Sequence, residues 1–200
     1  MKRIPFEYAV LAISVGVTFA VATPARAQTS AVTDSKRIET SAEKLARGKY
    51  LVTVAGCNDC HTPWVMGPKG PEPDMSRMLS GHPENEKLPP PPAPQGPWLM
   101  AAAATNTAHS GPWGISYTAN LTPDAETGLG KWTQRNFTET IRTGRHMGRG
   151  RQILPPMPIP MYKHFTDADL EAIFGYLQTI PAVKNRVPEP LPATLPVAAK

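Results

Sequence analysis

Cysteine is scarce here, with only 2 in 200 residues, aromatics make up only 7%, and no uninterrupted apolar run reaches the ~18 residues of a membrane span. Two cysteines exclude a disulfide-built secreted scaffold, and the missing runs exclude a polytopic membrane protein. Charge of one sign is also in short supply. The 21 Lys and Arg against 16 Asp and Glu leave a net charge of +5, too little for an electrostatic nucleic-acid binder. No strand-period run of useful length and no internal repeat is visible. What the chain does have is 24 Pro and 40% hydrophobic residues. That is enough apolar material for one core in one domain, with unusually much loop.

Residues 1–27 read as an address label: Lys2 and Arg3, an apolar stretch over 8–22, then Ala25-Arg26-Ala27 as a small-x-small cleavage site. The stretch is 15 residues long, short of the ~20 that span a bilayer. The expectation is a signal peptide cleaved after Ala27, export to the periplasm, and a mature chain beginning at Gln28. Lys2, Arg3 and Arg26 against Glu7 fall inside this leader, so the processed chain is less basic than the whole. Residues 28–39 form a flexible lead-in, 40–187 the domain, and 188–200 a Pro-rich tail.

Three helices are expected. Thr40 and Glu43 make a capping box for the first, with Leu45, Leu51, Val52 and Ala55 on one face and Gly56 as the stop. Gly48 lies on that face and would let another backbone approach closely. The second runs from an N-cap at Thr133 to Gly144, with Phe137 and Ile141 one turn apart. In the third, Thr166 and Asp169 form a capping pair and Phe165 and Leu170 a hydrophobic staple. Leu170, Ile173, Phe174 and Leu177 then make a stripe that ends before Pro181. Between them lies the Pro-rich loop 66–112, in which 11 of 47 residues are Pro and no regular element can be placed. Trp64, Trp98 and Trp113 in and beside it imply that it packs on the domain as a covering. The fold class expected is all-α with long loops.

Cys57-Asn58-Asp59-Cys60-His61 follows the first helix and matches the haem-attachment pattern C-x-x-C-H. Cysteines three apart on one helical turn point the same way, so each can form a thioether with a haem vinyl group. His61 then lies under the iron as the proximal ligand. A thioredoxin-like pair would need a preceding strand and βαβ context, and a zinc site a fourth ligand. For the distal position the residues leave Met157, Met161, Met147, His146 and His164 open. Met157 stands between Pro156 and Pro158, whose fixed φ angles would hold its loop rigid.

With these residues in place the chain resembles a class I mono-haem cytochrome c. Asn120-Leu121-Thr122-Pro123-Asp124, Gly128, Gly130, Trp132, Arg142-Thr143-Gly144 and Pro155-Pro156-Met157-Pro158 are similar to the cytochrome c subunits of membrane-bound alcohol and gluconate dehydrogenases. Those subunits carry three haem motifs and this chain one. The resemblance implies a cytochrome c fold with 66–112 as an insertion and one covalent haem c. Cys57, Cys60, His61 and Met157 would hold the cofactor, with His61 and Met157 on the metal. It also implies that the first and last helices cross, setting Gly48 and Val52 against Tyr176 and Leu177.

The function expected is periplasmic single-electron transfer with no substrate chemistry, hence no catalytic residue. The alternatives are a haem-bearing subunit of a dehydrogenase complex, or a haem enzyme or gas-binding protein with a labile sixth ligand. Redox partners would be a dehydrogenase and a terminal oxidase. Arg142, Arg145, Arg149 and Arg151, with no acid among them, are either a docking surface or a solvated face with one Arg on a haem propionate. His82, His109 and His164 are expected to be solvated or hydrogen-bonded imidazoles, with His82 in a loop that could cover the haem edge.

Overall fold

Helix α1, Ser41–Val54, buries one narrow face through Gly48, Leu51 and Val52, as the spacing of its apolar residues requires. The computed structural model describes residues 41–92 and 97–193. The leader, the lead-in, Thr40 and residues 194–200 of the tail lie outside the described residues. After Gly56 the chain turns directly into a five-residue helix, α2, Cys57–His61. Helix α3, Gln134–Thr143, starts at a capping box of Thr133 and Asn136 and ends at Gly144. A one-turn helix, α4, Ile159–Tyr162, precedes α5, Asp167–Leu177, whose capping box is Thr166 and Asp169.

Helices α1 and α5 cross at Gly48. A Cβ there would stand 2.0 Å from the Ala172 carbonyl oxygen and 2.8 Å from Tyr176 Cβ, so only hydrogen lets the two backbones meet. Polar contacts flank the crossing: Arg47 Nε donates to Asp169 Oδ1 at 2.8 Å, and Lys44 pairs with Glu171 at 3.0 Å. Burial pushes the Asp169 carboxyl up, but hydrogen bonds from Thr166 and Arg47 outweigh this and hold it below the usual carboxylate range. Helix α3 packs on α5 through Phe137 and Phe174, ring centroids 5.5 Å apart. Leu170 and Leu177, each 1% exposed, complete the centre.

The segment 66–112 corrects the expectation that no regular element could be placed there. Strands β1, Trp64–Gly67, and β2, Gly70–Pro73, form an antiparallel hairpin with Gly67 opposite Gly70. A second antiparallel sheet has the order β3, β4, β5, from Ala101–Ala102, Ala108–Gly111 and Gly114–Tyr117, with Gly111 opposite Gly114. Both hairpins turn on Gly-Pro-x-Gly, a two-residue connection with Pro in its first position. The strands have at most four residues and only β5 alternates, so the periodicity that identifies a strand has too short a run to act on. Trp98 is another correction, being 75% exposed rather than packed. Trp64 instead donates its indole N–H to the Asp59 carbonyl at 2.8 Å.

Among the described residues no helix follows α5. A strap over 183–187 crosses the loop that follows β5, and Leu191 then pairs with Ile115 through two backbone hydrogen bonds of 2.9 Å. Among the described residues no helix is long and apolar enough to cross a membrane.

The α1/α5 crossing yields a direct test. Gly48→Ala gains about 1 kcal/mol of helix propensity, yet it drives a methyl into the Ala172 carbonyl. Overpacking costs about 1–3 kcal/mol, so urea unfolding should show a net loss of up to about 2 kcal/mol. A gain in stability would mean that the helices do not meet at this residue.

Candidate haem site

Sharing α2 brings Cys57, Cys60 and His61 to one wall of a cavity of about 350 Å³, within the roughly 300–1,000 Å³ of small-molecule sites. The two cysteines are not bonded to each other. Burial, with Cys60 and Asp59 adding to it against a backbone hydrogen bond, pushes the Cys57 thiol up to about 11. Burial and Asp59 also push Cys60 up. Both are therefore neutral groups in an apolar recess. Leu129, Phe137, Ile141, Leu170 and Ile173 line it from α3, α5 and the loop before α3.

His61 is 8% exposed, and its Nδ1 lies 2.7 Å from the Ala119 carbonyl oxygen. A carbonyl can only accept, so Nδ1 carries the proton and Nε2 keeps its lone pair. Burial pushes the imidazole pKa down, the Ala119 carbonyl opposes this in part, and His109 adds to the lowering. A neutral imidazole with its other nitrogen fixed by a carbonyl is the form that binds a metal.

Met157 lines the same cavity between Pro156 and Pro158. Met161 is 70% exposed and does not line it. His164 is also exposed and away from it. His146 reaches the wall, with its ring edge-on to Trp132 at 5.1 Å. Met147 sits in a short turn at φ 50. His82 and His109 are 0% and 2% exposed, so neither is solvated. His82 Nδ1 meets Thr107 Oγ1 at 2.9 Å and its ring leans on Tyr117, whereas His109 Nδ1 has no protein partner. Neither lines the cavity.

The four arginines do not act as one patch. Arg142 is engaged by Asp167 at 2.6 Å and by the Lys163 carbonyl, and Arg151 by Glu189 at 3.2 Å. Arg145 and Arg149 are exposed. Arg151 also lines the cavity, together with Arg186. Among the described residues no group of three or more His, Cys, Asp and Glu gathers to hold a metal ion by protein ligands alone.

These residues fit a haem. The recess is lined mainly by apolar side chains, and both thiols reach it from one turn of α2. A neutral imidazole and a thioether at the wall could serve as axial donors, and Arg151 and Arg186 in the lining could pair with carboxylates. No family model matches the chain. It is 29% identical over 84% of its length to a nicotinate dehydrogenase subunit of Pseudomonas putida. It is 27% identical over 73% to the fructose dehydrogenase cytochrome subunit of Gluconobacter japonicus, and 31% over 65% to the gluconate 2-dehydrogenase cytochrome c subunit of Pantoea cypripedii. It is a cytochrome c similar to those subunits. The cytochrome spans 11%, 24% and 22% of the length of these three relatives.

Sequence reasoning missed the residues that hold His61 in place. Thr62, fully buried, accepts the Leu79 N–H at 2.9 Å and donates to Asn58 Oδ1 at 3.0 Å. The Gly81 N–H then donates to the His61 carbonyl at 2.8 Å. No local pattern flags a Thr that serves a residue 17 positions away. In this cytochrome Thr62→Val keeps the shape but strands the buried Leu79 N–H. It should cost about 1–3 kcal/mol in chemical unfolding, while Thr62→Ser stays within about 1 kcal/mol of wild type. A loss from Thr62→Ser with none from Thr62→Val would put the role of Thr62 in its methyl group.

Proposed function

We propose that this chain is a periplasmic electron carrier with a single covalent haem c, working beside a dehydrogenase as its redox partner. The observation that carries this reading is that Cys57, Cys60, His61 and Met157 all line one apolar cavity. Cys57 and Cys60 would tether the cofactor, and His61 and Met157 would ligate its iron from opposite sides. Bound there, the haem supplies one-electron redox chemistry between its ferric and ferrous states. The fold proposed is the cytochrome c fold, its helical frame carrying an inserted Pro-rich segment over 66–112.

The remaining residues serve that role by exclusion and positioning. The leucines, isoleucines and phenylalanines around the cavity keep water from the metal and lower the local dielectric. Arg151 and Arg186 would neutralise the haem carboxylates at the wall. The Ala119 carbonyl holds the His61 proton on Nδ1 and makes the imidazole a stronger donor. A thioether at the sixth position favours the ferrous state, and a closed sixth position suits electron transfer rather than substrate binding. Arg145 and Arg149, exposed and with no carboxylate partner among the described residues, would be the arginines that meet an acidic redox partner or a terminal oxidase.

The distal ligand tests the carrier reading. The ferric protein should be low-spin with a thioether-to-iron charge-transfer band, and the ferrous protein should resist carbon monoxide. Met157→Ala should abolish the band and admit carbon monoxide, while Met161→Ala should change neither. Wild-type protein that binds carbon monoxide readily, and turns over peroxide when ferric, would replace the carrier with a haem enzyme or gas-binding protein.

A further inference from the structure

Three segments distant in sequence meet behind His61. The middle one, residues 79–82, touches both of the others: the Gly81 N–H donates to the His61 carbonyl, and the His82 N–H donates to the Thr118 carbonyl at 3.0 Å. The Leu121 N–H returns a bond to the Leu79 carbonyl at 2.8 Å. Gly81 has no room to spare, since at φ 79 a Cβ would stand 2.5 Å from the Thr118 oxygen. The Ala119 carbonyl is therefore aimed at His61 Nδ1 only while 79–82 stays between the two segments.

Asn185, in the strap beyond α5 and 8% exposed, grips that middle piece from outside. Its Nδ2 donates to the carbonyls of Ser80 at 2.7 Å and His82 at 2.8 Å, and its Oδ1 accepts the Glu84 N–H at 2.9 Å. Asn120, next to Ala119, donates from its own Nδ2 to the strap carbonyl of Val183 at 2.8 Å. The side chain of Asn185 thus spends both amide hydrogens and its oxygen on one loop, while the strap backbone holds the other.

We propose that Asn185 is a positioning residue for the proximal ligand: the strap clamps 80–84 against 118–120 and so fixes the strength of the His61 Nδ1–H to Ala119 bond. The proposal rests on the reading that His61 ligates the haem iron. A carbonyl held close makes the imidazole a more basic ligand and favours ferric iron, so releasing the clamp raises the reduction potential. Nothing in this argument depends on a change of charge, because Asn185 is neutral and its replacements can be neutral too.

The test uses the full haem-loaded chain with Asn185→Ala and, as the smaller perturbation, Asn185→Ser. Both should raise the midpoint potential of the haem. Both should also speed exchange of the His61 Nδ1 proton by about tenfold, the equivalent of losing one modest hydrogen bond. Lys184→Ala, which breaks the exposed Lys184–Glu126 pair on the same strap and leaves the Asn185 hydrogen bonds intact, should leave both readouts at wild-type values. Variants that unfold at lower denaturant with unchanged potential and unchanged exchange would reduce the strap to structural packing and overturn the clamp. Wild-type protein without covalent haem would instead remove the haem reading itself, an outcome separate from unmoved variants in a haem-loaded protein.

Discussion

The hydrophobic core of this protein and the wall of its cavity are made of the same side chains. Leu129, Phe137, Ile141, Leu170, Ile173 and Leu177 pack against one another and also line the recess beside α2. Without a filling group that recess leaves apolar side chains of the core uncovered. A group that fills the cavity would therefore complete the core. Covalent attachment through Cys57 and Cys60 would ensure that the core is never without it.

This constraint orders the rest of the fold. Helices α1 and α5 close one side by meeting at Gly48, which leaves the apolar face of α5 free to turn toward the cavity and α3. The opposite side has no long helix to cover it. Short strands, the loop after β5 and the strap do that work instead, through hydrogen bonds between residues far apart in the chain. Thr62, Asn120 and Asn185 satisfy backbone groups that a helix would have satisfied within itself. Their burial makes each bond costly to lose.

The helical half of the molecule was legible because its signals are local. Thr133 and Thr166 stand at N-caps three residues before their partners, and the Leu170, Ile173, Phe174 and Leu177 stripe has helical spacing. The Cys57, Cys60 and His61 pattern is equally local, and geometry places all three residues on one cavity wall. The other half was not legible, for a physical reason. Strands of at most four residues are too short for alternation to register, and the partners of the Asn185 side chain lie more than 100 residues away in sequence. His82 and His109 look like polar loop residues in sequence, yet the sheet of β3, β4 and β5 forms where they are buried. The proximal carbonyl belongs to Ala119, and no side-chain chemistry can reveal a backbone acceptor in sequence.

The central claim is that a haem bonded through Cys57 and Cys60 completes this core, and mass spectrometry of the protein purified from its native compartment tests it most directly. The account predicts an intact mass equal to the processed polypeptide plus one haem, with the added mass retained on the peptide spanning Cys57 to His61 after denaturation and extraction with acidified organic solvent. A folded protein whose mass is that of the polypeptide alone, or whose haem is extracted by that solvent, would contradict it.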